Sequence, residues 1–200
     1  KGVQSVGEEE PENKIHNRLK ELLVGLGFIE ALTFALTDKE DQFRKMNLKE
    51  MPHIKLGSVK ETTINMVRSW LLPELIKLLM NNRSKEYPQR IFEINDIVIP
   101  DEKEEVKSRN ITKLSCVIAH EKANFTEIKQ VLDYLTRTLN LNIRIKELKH
   151  SSFIEGRCAS ILLNDNEIGV LGEINPIVLE NFGLEVPVCA MEISLESFLH

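Results

Sequence analysis

The stretch Val67-Arg68-Ser69-Trp70-Leu71-Leu72-Pro73-Glu74-Leu75-Ile76-Lys77-Leu78-Leu79 constrains the fold more than any other part of the chain. Pro73 has no amide hydrogen and a fixed φ, so it belongs in the first turn of a helix. Leu75, Ile76, Leu79 and Met80 then recur at helical spacing and give that helix one apolar face. Asn81-Asn82-Arg83-Ser84 closes it with polar residues. The entrance, Trp70-Leu71-Leu72, is apolar without interruption and must be buried. Arg90-Ile91-Phe92-Glu93-Ile94 follows as an apolar run with the character of a strand.

Around this pair the chain alternates helices with strands that pair through hairpins. Residues 1–12, with Glu8-Glu9-Glu10-Pro11-Glu12, read as a linker or arm from a preceding domain, and the first residue, a lysine, as the start of a fragment. Asn13 is a good N-cap for a helix carrying Ile15, Leu19, Leu22, Leu23 and Leu26, with Gly27 at its C-terminal end. Phe28 to Leu36 is apolar on both faces apart from Glu30 and Thr33, which predicts a strand covered on both sides. Thr37-Asp38-Lys39-Glu40 has the form of a capping box before a short helix with Phe43 and Met46. His53 to Leu56 reads as a brief strand before Gly57-Ser58.

Strands follow at about 90–99 and 111–119, joined by the charged loop Pro100 to Glu105. Thr126 to Leu139 is an amphipathic helix with Ile128, Val131, Leu132 and Leu135 inward. Leu141 to Leu148 alternates as a half-buried strand does. Asn164-Asp165-Asn166 turns a hairpin between Ala159–Leu163 and Glu167–Ile174. Pro176 opens a short helix, Val188 to Ile193 is a last strand, and Ser194 is placed to cap a terminal helix over Leu195, Phe198 and Leu199. The expected class is α+β with a largely antiparallel sheet flanked by helices.

Charge narrows function. The net charge of −5 supplies no domain-wide attraction to nucleic acid or anionic membrane. Cys116, Cys158 and Cys189 each lie in an apolar run away from histidine, which reads as buried thiols in a reducing cytosol. No spacing suggests a metal, and no apolar run reaches spanning length.

Several segments resemble the class II aminoacyl-tRNA synthetase core, and more closely the non-catalytic, synthetase-like module of phenylalanine–tRNA ligase β subunits of archaeal and eukaryotic type. Leu26-Gly27-Phe28-Ile29-Glu30-Ala31 resembles motif 1, a helix and strand used for subunit association. Arg68 with Leu71-Leu72-Pro73-Glu74-Leu75 resembles the signature L-R-x-S-L-L-P-x-L, and Arg90-Ile91-Phe92-Glu93-Ile94 the strand R-x-F-E-I-G, with Asn95 in place of glycine. Gly156-Arg157-Cys158-Ala159, Ile168-Gly169-Val170-Leu171-Gly172-Glu173-Ile174-Asn175-Pro176 and Ala190-Met191-Glu192-Ile193 resemble G-R-x-A, I-G-x-x-G-E-x-H-P and f-E-i, with Asn175 in the histidine place. The resemblance runs from about residue 13 to the end, a core module of residues 13–200.

The same residues argue against chemistry in this chain. A class II site holds ATP and an aminoacyl carboxylate through fixed arginines and glycines. Arg90 and Glu93 stand one residue further apart than the family's catalytic f-R-x-E, and a one-residue change turns a strand side chain to the other face. Where a glycine-rich, arginine-bearing motif 3 would lie, the chain reads Cys189 to Phe198, with Glu192 and Glu196 to repel a triphosphate. Trp70, Leu71 and Leu72 fill a place where the resemblance implies small polar residues, so the expected site is a packed pseudo-active site without catalytic, cofactor-binding or metal residues.

The remaining candidates divide between function and structure. Glu30 and Glu93 read as an acid/base pair or as structural ion pairs, and Arg68 and Arg157 as phosphate grips or buried bridges. Lys77, Arg83, Lys85 and Arg90, and later Arg137, Arg144, Lys146, Lys149 and His150, are candidate tRNA contacts or solvated faces. Histidines 16, 53, 120, 150 and 200 show no partner pattern.

The resemblance implies a cytoplasmic β subunit assembled, two with two, with a catalytic α subunit that uses ATP and magnesium to join phenylalanine to its tRNA. Leu22, Leu26, Phe28, Leu32 and Phe34 are the candidates for subunit interface or core, and the isolated chain is expected to self-associate through uncovered apolar surface. Two other readings stay open: an autonomous class II-fold enzyme or small-ligand-binding relative, and an RNA-binding module.

Overall fold

A computed structural model describes residue 7, residues 9–57 and residues 63–199, the last by its backbone alone. Most of the expected arm, together with Ser58 and His200, lies outside the described residues.

The first helix, α1 (Pro11–Gly25), begins two residues before the expected Asn13 cap, because Pro11 fits the first turn and needs no amide partner. Its C-terminal glycine is where the sequence puts it: Gly27 has φ +81°. The chain then touches the edge of the main sheet as β1 (Ile29–Glu30), passes through β2 (Leu36–Thr37) and a π-helical turn at Glu40–Arg44, and returns as β3 (Met66–Val67), which pairs with β2. The proline-led helix is α2 (Leu72–Asn81). Strands β4 (Gln89–Pro100) and β5 (Ser108–Ala119) form a long hairpin, and α3 (Phe125–Thr138) leads to β6 (Ile143–Glu147). Then come β7 (Phe153–Leu163), β8 (Asn166–Ile174), α4 (Pro176–Phe182) and β9 (Val188–Ser194), and a 3₁₀ turn at Glu196–Leu199.

Seven strands make one sheet in the order β1-β4-β5-β9-β8-β7-β6. Among the described residues only the β1–β4 pair is parallel. Its period of two sorts the side chains. Phe92, Cys116, Met191, Leu171 and Ala159 stand in one register row and pack against α1 and α3. The opposite face carries Val117, Ala119 and Ala190 against α2 and α4. The end of β5, Cys116 to Ala119, is apolar on both faces for this reason, whereas α1 and α3 need only one apolar stripe. Two glycines of the β8 motif serve close approach. A Cβ on Gly169 would lie 2.1 Å from the Glu192 carbonyl oxygen, and one on Gly172 would lie 2.6 Å from that of Arg157.

Most element expectations hold, including the turn at Asn164 and Asp165, whose φ values of 49° and 68° are those of a left-handed hairpin turn. Five need correction. Leu141 to Leu148 is not half-buried: its strand is β6, where Ile143 is partly covered and the next four residues are exposed. Phe28 to Leu36 is not one strand covered on both sides: Ile29 and Glu30 pair with β4 at the sheet edge, Leu36 pairs with Val67 in the small β2–β3 sheet, and Leu32 and Phe34 between them are 86% and 88% exposed. Periodicity reports apolar character and not whether a cover is present. The capping box is not made, because the Thr37 hydroxyl donates to Glu74 instead, and Asp38 accepts the Glu40 amide 3.0 Å away. His53 to Leu56 contributes only a single bridge, Lys55 to Met66. Ser194 ends β9 as its last paired residue, opposite Lys113, rather than opening a helix.

Candidate functional site

On the α2 face the register row next to the Phe92 row is polar. It runs Glu93, Ser115, Glu192, Val170 and Ser160 across five adjacent strands, and all but Val170 are buried. Two carboxylates buried in a sheet need compensation, since an unpaired buried charge is strongly unfavourable. The compensation comes from the loop at residues 68–72, which enters α2.

At one end of the row Arg68, 1% exposed, donates from Nη1 to Glu93 Oε1 at 3.0 Å and to Thr33 Oγ1 at 2.8 Å. Its Nε donates to the Asp96 carbonyl at 3.0 Å. Glu93, fully buried, also accepts from the Thr33 hydroxyl at 2.7 Å, the Thr33 amide at 3.2 Å and the Asn95 side-chain amide at 3.0 Å. In the middle of the row Glu192 Oε2 accepts the amides of Leu71 and Leu72 at 3.0 and 2.8 Å, while Oε1 takes the Lys113 ammonium at 3.0 Å. Leu71 is the N-cap of α2 and has no polar side chain with which to cap it. Glu192 supplies the missing acceptor from a strand far along the chain, and its charge suits the helix dipole.

Gln42, buried in the π-helical turn, latches the loop. Its Oε1 accepts from the Ser69 amide at 3.0 Å and the Trp70 amide at 3.3 Å, its Nε2 donates to the Trp70 carbonyl at 3.2 Å, and its own carbonyl accepts the Trp70 indole N–H at 3.1 Å. Trp70 and Leu72 pack into the core under α2, and Leu71 packs with Ile97 and Ile111. A cleft of about 520 Å³ stays open beside Trp70, lined among others by Ser69, Lys113, His150, Gly169, Val170 and Glu192.

The candidates of the motif 1-like segment separate cleanly. Leu22 and Phe28 are core, Leu26 is half-buried against it, and Leu32 and Phe34 face outward. Thr33, between the two exposed residues, is the one bonded to Arg68 and Glu93, and the Ala35 carbonyl accepts the Arg68 amide at 2.8 Å. A buried ion pair therefore holds a short backbone segment so that its large apolar side chains point away from the protein.

Six of the other charged candidates are paired. Arg90 meets Glu127 at 2.7 Å on the face opposite Glu93, Arg157 meets Glu173 at 2.6 Å, and Glu30 meets Lys20 at 2.8 Å. Lys77 meets Asp41 at 2.6 Å, Arg144 meets Asp165, and Lys149 meets Glu155, so much of the positive charge considered for tRNA is locally neutralised. Asn175 caps α4, accepting the Ile177 amide at 3.0 Å. Burial pushes the Cys158 thiol up to about 11 and Cys189 up to about 12, and raises Cys116 well above the ordinary value, so all three stay protonated near neutrality.

Gln42 and Lys113 as loop partners had no motif to announce them, and the f-E-i resemblance singled out Glu192 without this role. The one usable signal was a carboxylate inside the apolar run Ala190-Met191-Glu192-Ile193. Among the described residues no helix is long and apolar enough to cross a membrane, and no group of three acidic, histidine or cysteine residues is placed to hold a metal.

The model of the family "Phenylalanyl tRNA synthetase beta chain CLM domain" matches residues 1–195. The chain is 40% identical over 207 aligned positions to the phenylalanine–tRNA ligase β subunit of Thermococcus sibiricus, covering 98% of this chain and 37% of that protein. It is 42% identical to that of Pyrococcus abyssi, over 94% of the chain and 34% of the relative. For Methanocaldococcus jannaschii the figures are 38%, 97% and 35%. The chain thus spans little more than a third of the length of these relatives. With the α+β sheet and the stitched loop already described, it belongs to the CLM-domain family of phenylalanine–tRNA ligase β subunits.

Proposed function

We propose that this chain is a non-catalytic module, residues 13–200 of a synthetase-like core in a cytoplasmic phenylalanine–tRNA ligase β subunit, and that it supports assembly with the catalytic α subunit. The observation that carries this is the pair Leu32 and Phe34, exposed by 86% and 88% on a backbone fixed by Thr33, Arg68 and Glu93. Exposed aromatic and aliphatic anchors on a rigid segment lose little entropy on docking and make good contact centres. Ile29 and Leu36 extend the apolar surface, and open grooves of about 530 and 550 Å³ flank it. Tight contact there fits an α₂β₂ arrangement.

The α2 face supports the non-catalytic half of the reading. Binding ATP with magnesium needs free cations and close backbone at the phosphates. In this chain Glu167 and Glu192 both line the cleft, Lys113 is committed to Glu192, and Arg68 is committed to Glu93. These residues do not fit a triphosphate. Activation of phenylalanine and its transfer to tRNA are accordingly assigned to the α subunit, with ATP and magnesium held there.

Coexpression of the α subunit with the full-length β subunit tests the assembly role. The unaltered pair should co-purify, and Leu32→Asp with Phe34→Asp should abolish co-purification while β stays folded. Normal assembly of the double variant would remove the basis of the reading.

A further inference from the structure

We propose that the cleft beside Trp70 contains an anion seat which the chain fills with its own Glu192, so that this residue sets the cleft's ligand selectivity by excluding carboxylates and phosphates. Two independent observations meet here. The first is the seated carboxylate: Glu192, 2% exposed, receives three donors, the Leu71 and Leu72 amides on one oxygen and the Lys113 ammonium on the other. Those are the contacts an incoming carboxylate would seek, two backbone N–H groups at a helix start and a cation.

The second observation is space. The cleft of about 520 Å³ reaches both Glu192 and Lys113, and much of its remaining wall is apolar, with Met51, Trp70, Ile99 and Val170. A short aliphatic carboxylate would place its charge at the seat and its body against that wall. While Glu192 occupies the seat, such a molecule meets a like charge and donors already used. With the Glu192 carboxylate removed, the same donors face the cavity, whose wall keeps one carboxylate, Glu167. The inference stands apart from the assembly reading, since the seat involves β5, β9 and the α2 entrance and not the Leu32–Phe34 segment.

The test uses the full-length β subunit assembled with its partner, with trifluorobutyrate as probe observed by fluorine NMR. The unaltered protein and Glu192→Gln, which keeps an acceptor at the two amides, should show no saturable binding dependent on this cleft. Glu192→Ala should bind the probe at least about tenfold more tightly than the unaltered protein, the difference expected of a charge-assisted contact. Lys113→Met added to Glu192→Ala should lose that gain, and trifluorobutanol should not compete. Equal probe binding with and without Glu192, or equal binding of the alcohol, would overturn the proposal. Should Glu192→Ala fail to fold, amide exchange in Glu192→Gln decides: protection at Leu71 and Leu72 like that of the unaltered protein supports the seat, and unprotected exchange at both overturns it.

Discussion

The two edges of the sheet are built in opposite ways. At one end β6 exposes Arg144, Lys146 and Glu147, with Arg144 paired to Asp165 across the hairpin turn. Charge on an edge strand discourages another chain from adding to it. At the other end β1 is two residues long, its Ile29 and the following Leu32, Phe34 and Leu36 are exposed, and the one charge in the stretch, Glu30, is paired with Lys20. The first edge is defended and the second is open, although both belong to one sheet. An open apolar edge invites aggregation unless something covers it. The clamp beneath it, Arg68 with Glu93 and Thr33, shows that its exposed geometry is also held in place.

Breaking the clamp should have the largest effect. Arg68→Met leaves Glu93 buried without its cation, and the expected loss is about 3–5 kcal/mol of stability. Urea unfolding would measure it, and a loss under about 1 kcal/mol would mean that the pair behaves as a surface ion pair.

The open edge itself should be almost neutral for folding and decisive for association. Leu32→Asp with Phe34→Asp should change stability by no more than about 0.5 kcal/mol per site, yet each anchor should cost about 2 kcal/mol or more in binding the α subunit. Calorimetric titration of the assembled pair compares the two numbers directly. The reverse change at the defended edge, Arg144→Val with Lys146→Val, should also leave folding within about 0.5 kcal/mol per site but produce concentration-dependent self-association in sedimentation. If it stays monodisperse, charge is not what protects β6.

Acid should act gently, and away from the open edge. Burial holds the His150 imidazole below its usual 6.5, beside Trp70 and Phe153, and burial lowers His16 as well. A base whose folded pKa is depressed is protonated first in the unfolded chain. Its contribution to stability is therefore intact above pH 6.5 and is lost as pH falls from there through the folded value. Unfolding between pH 7 and 5 should show a shallow decline that His150→Phe reduces, and an unchanged slope would place the effect elsewhere. In stronger acid Asp41 adds a similar decline: burial would raise its carboxyl, but the Lys45 and Lys77 bonds outweigh that and hold it below 3.8.

Much of the architecture was legible because period and punctuation are local. Pro73 located the start of α2, Ile128, Val131, Leu132 and Leu135 gave the buried stripe of α3, and Asn164-Asp165 gave the β7–β8 turn. The offset between Arg90 and Glu93 also put them on opposite faces, as a strand period of two requires. What misled was apolar character at Phe28–Leu36, because an apolar run reads the same whether or not its own domain covers it. The Thr37 capping pattern misled for a related reason: Glu74, distant in sequence, offered its hydroxyl a better acceptor.

The entrance Trp70-Leu71-Leu72 shows where the division falls. Its sequence by itself determined that a helix begins at the proline and that the residues before it are apolar, since backbone geometry and hydrophobicity belong to those residues alone. Only the tertiary structure decided what satisfies the entrance's polar backbone. The acceptors are Gln42 and Glu192, brought from a turn and a strand on either side, and the row that Glu192 shares with Glu93 exists only through strand register. Hydrogen bonds between distant segments carry no local pattern, so the chain's own occupancy of this position becomes visible once the sheet is assembled.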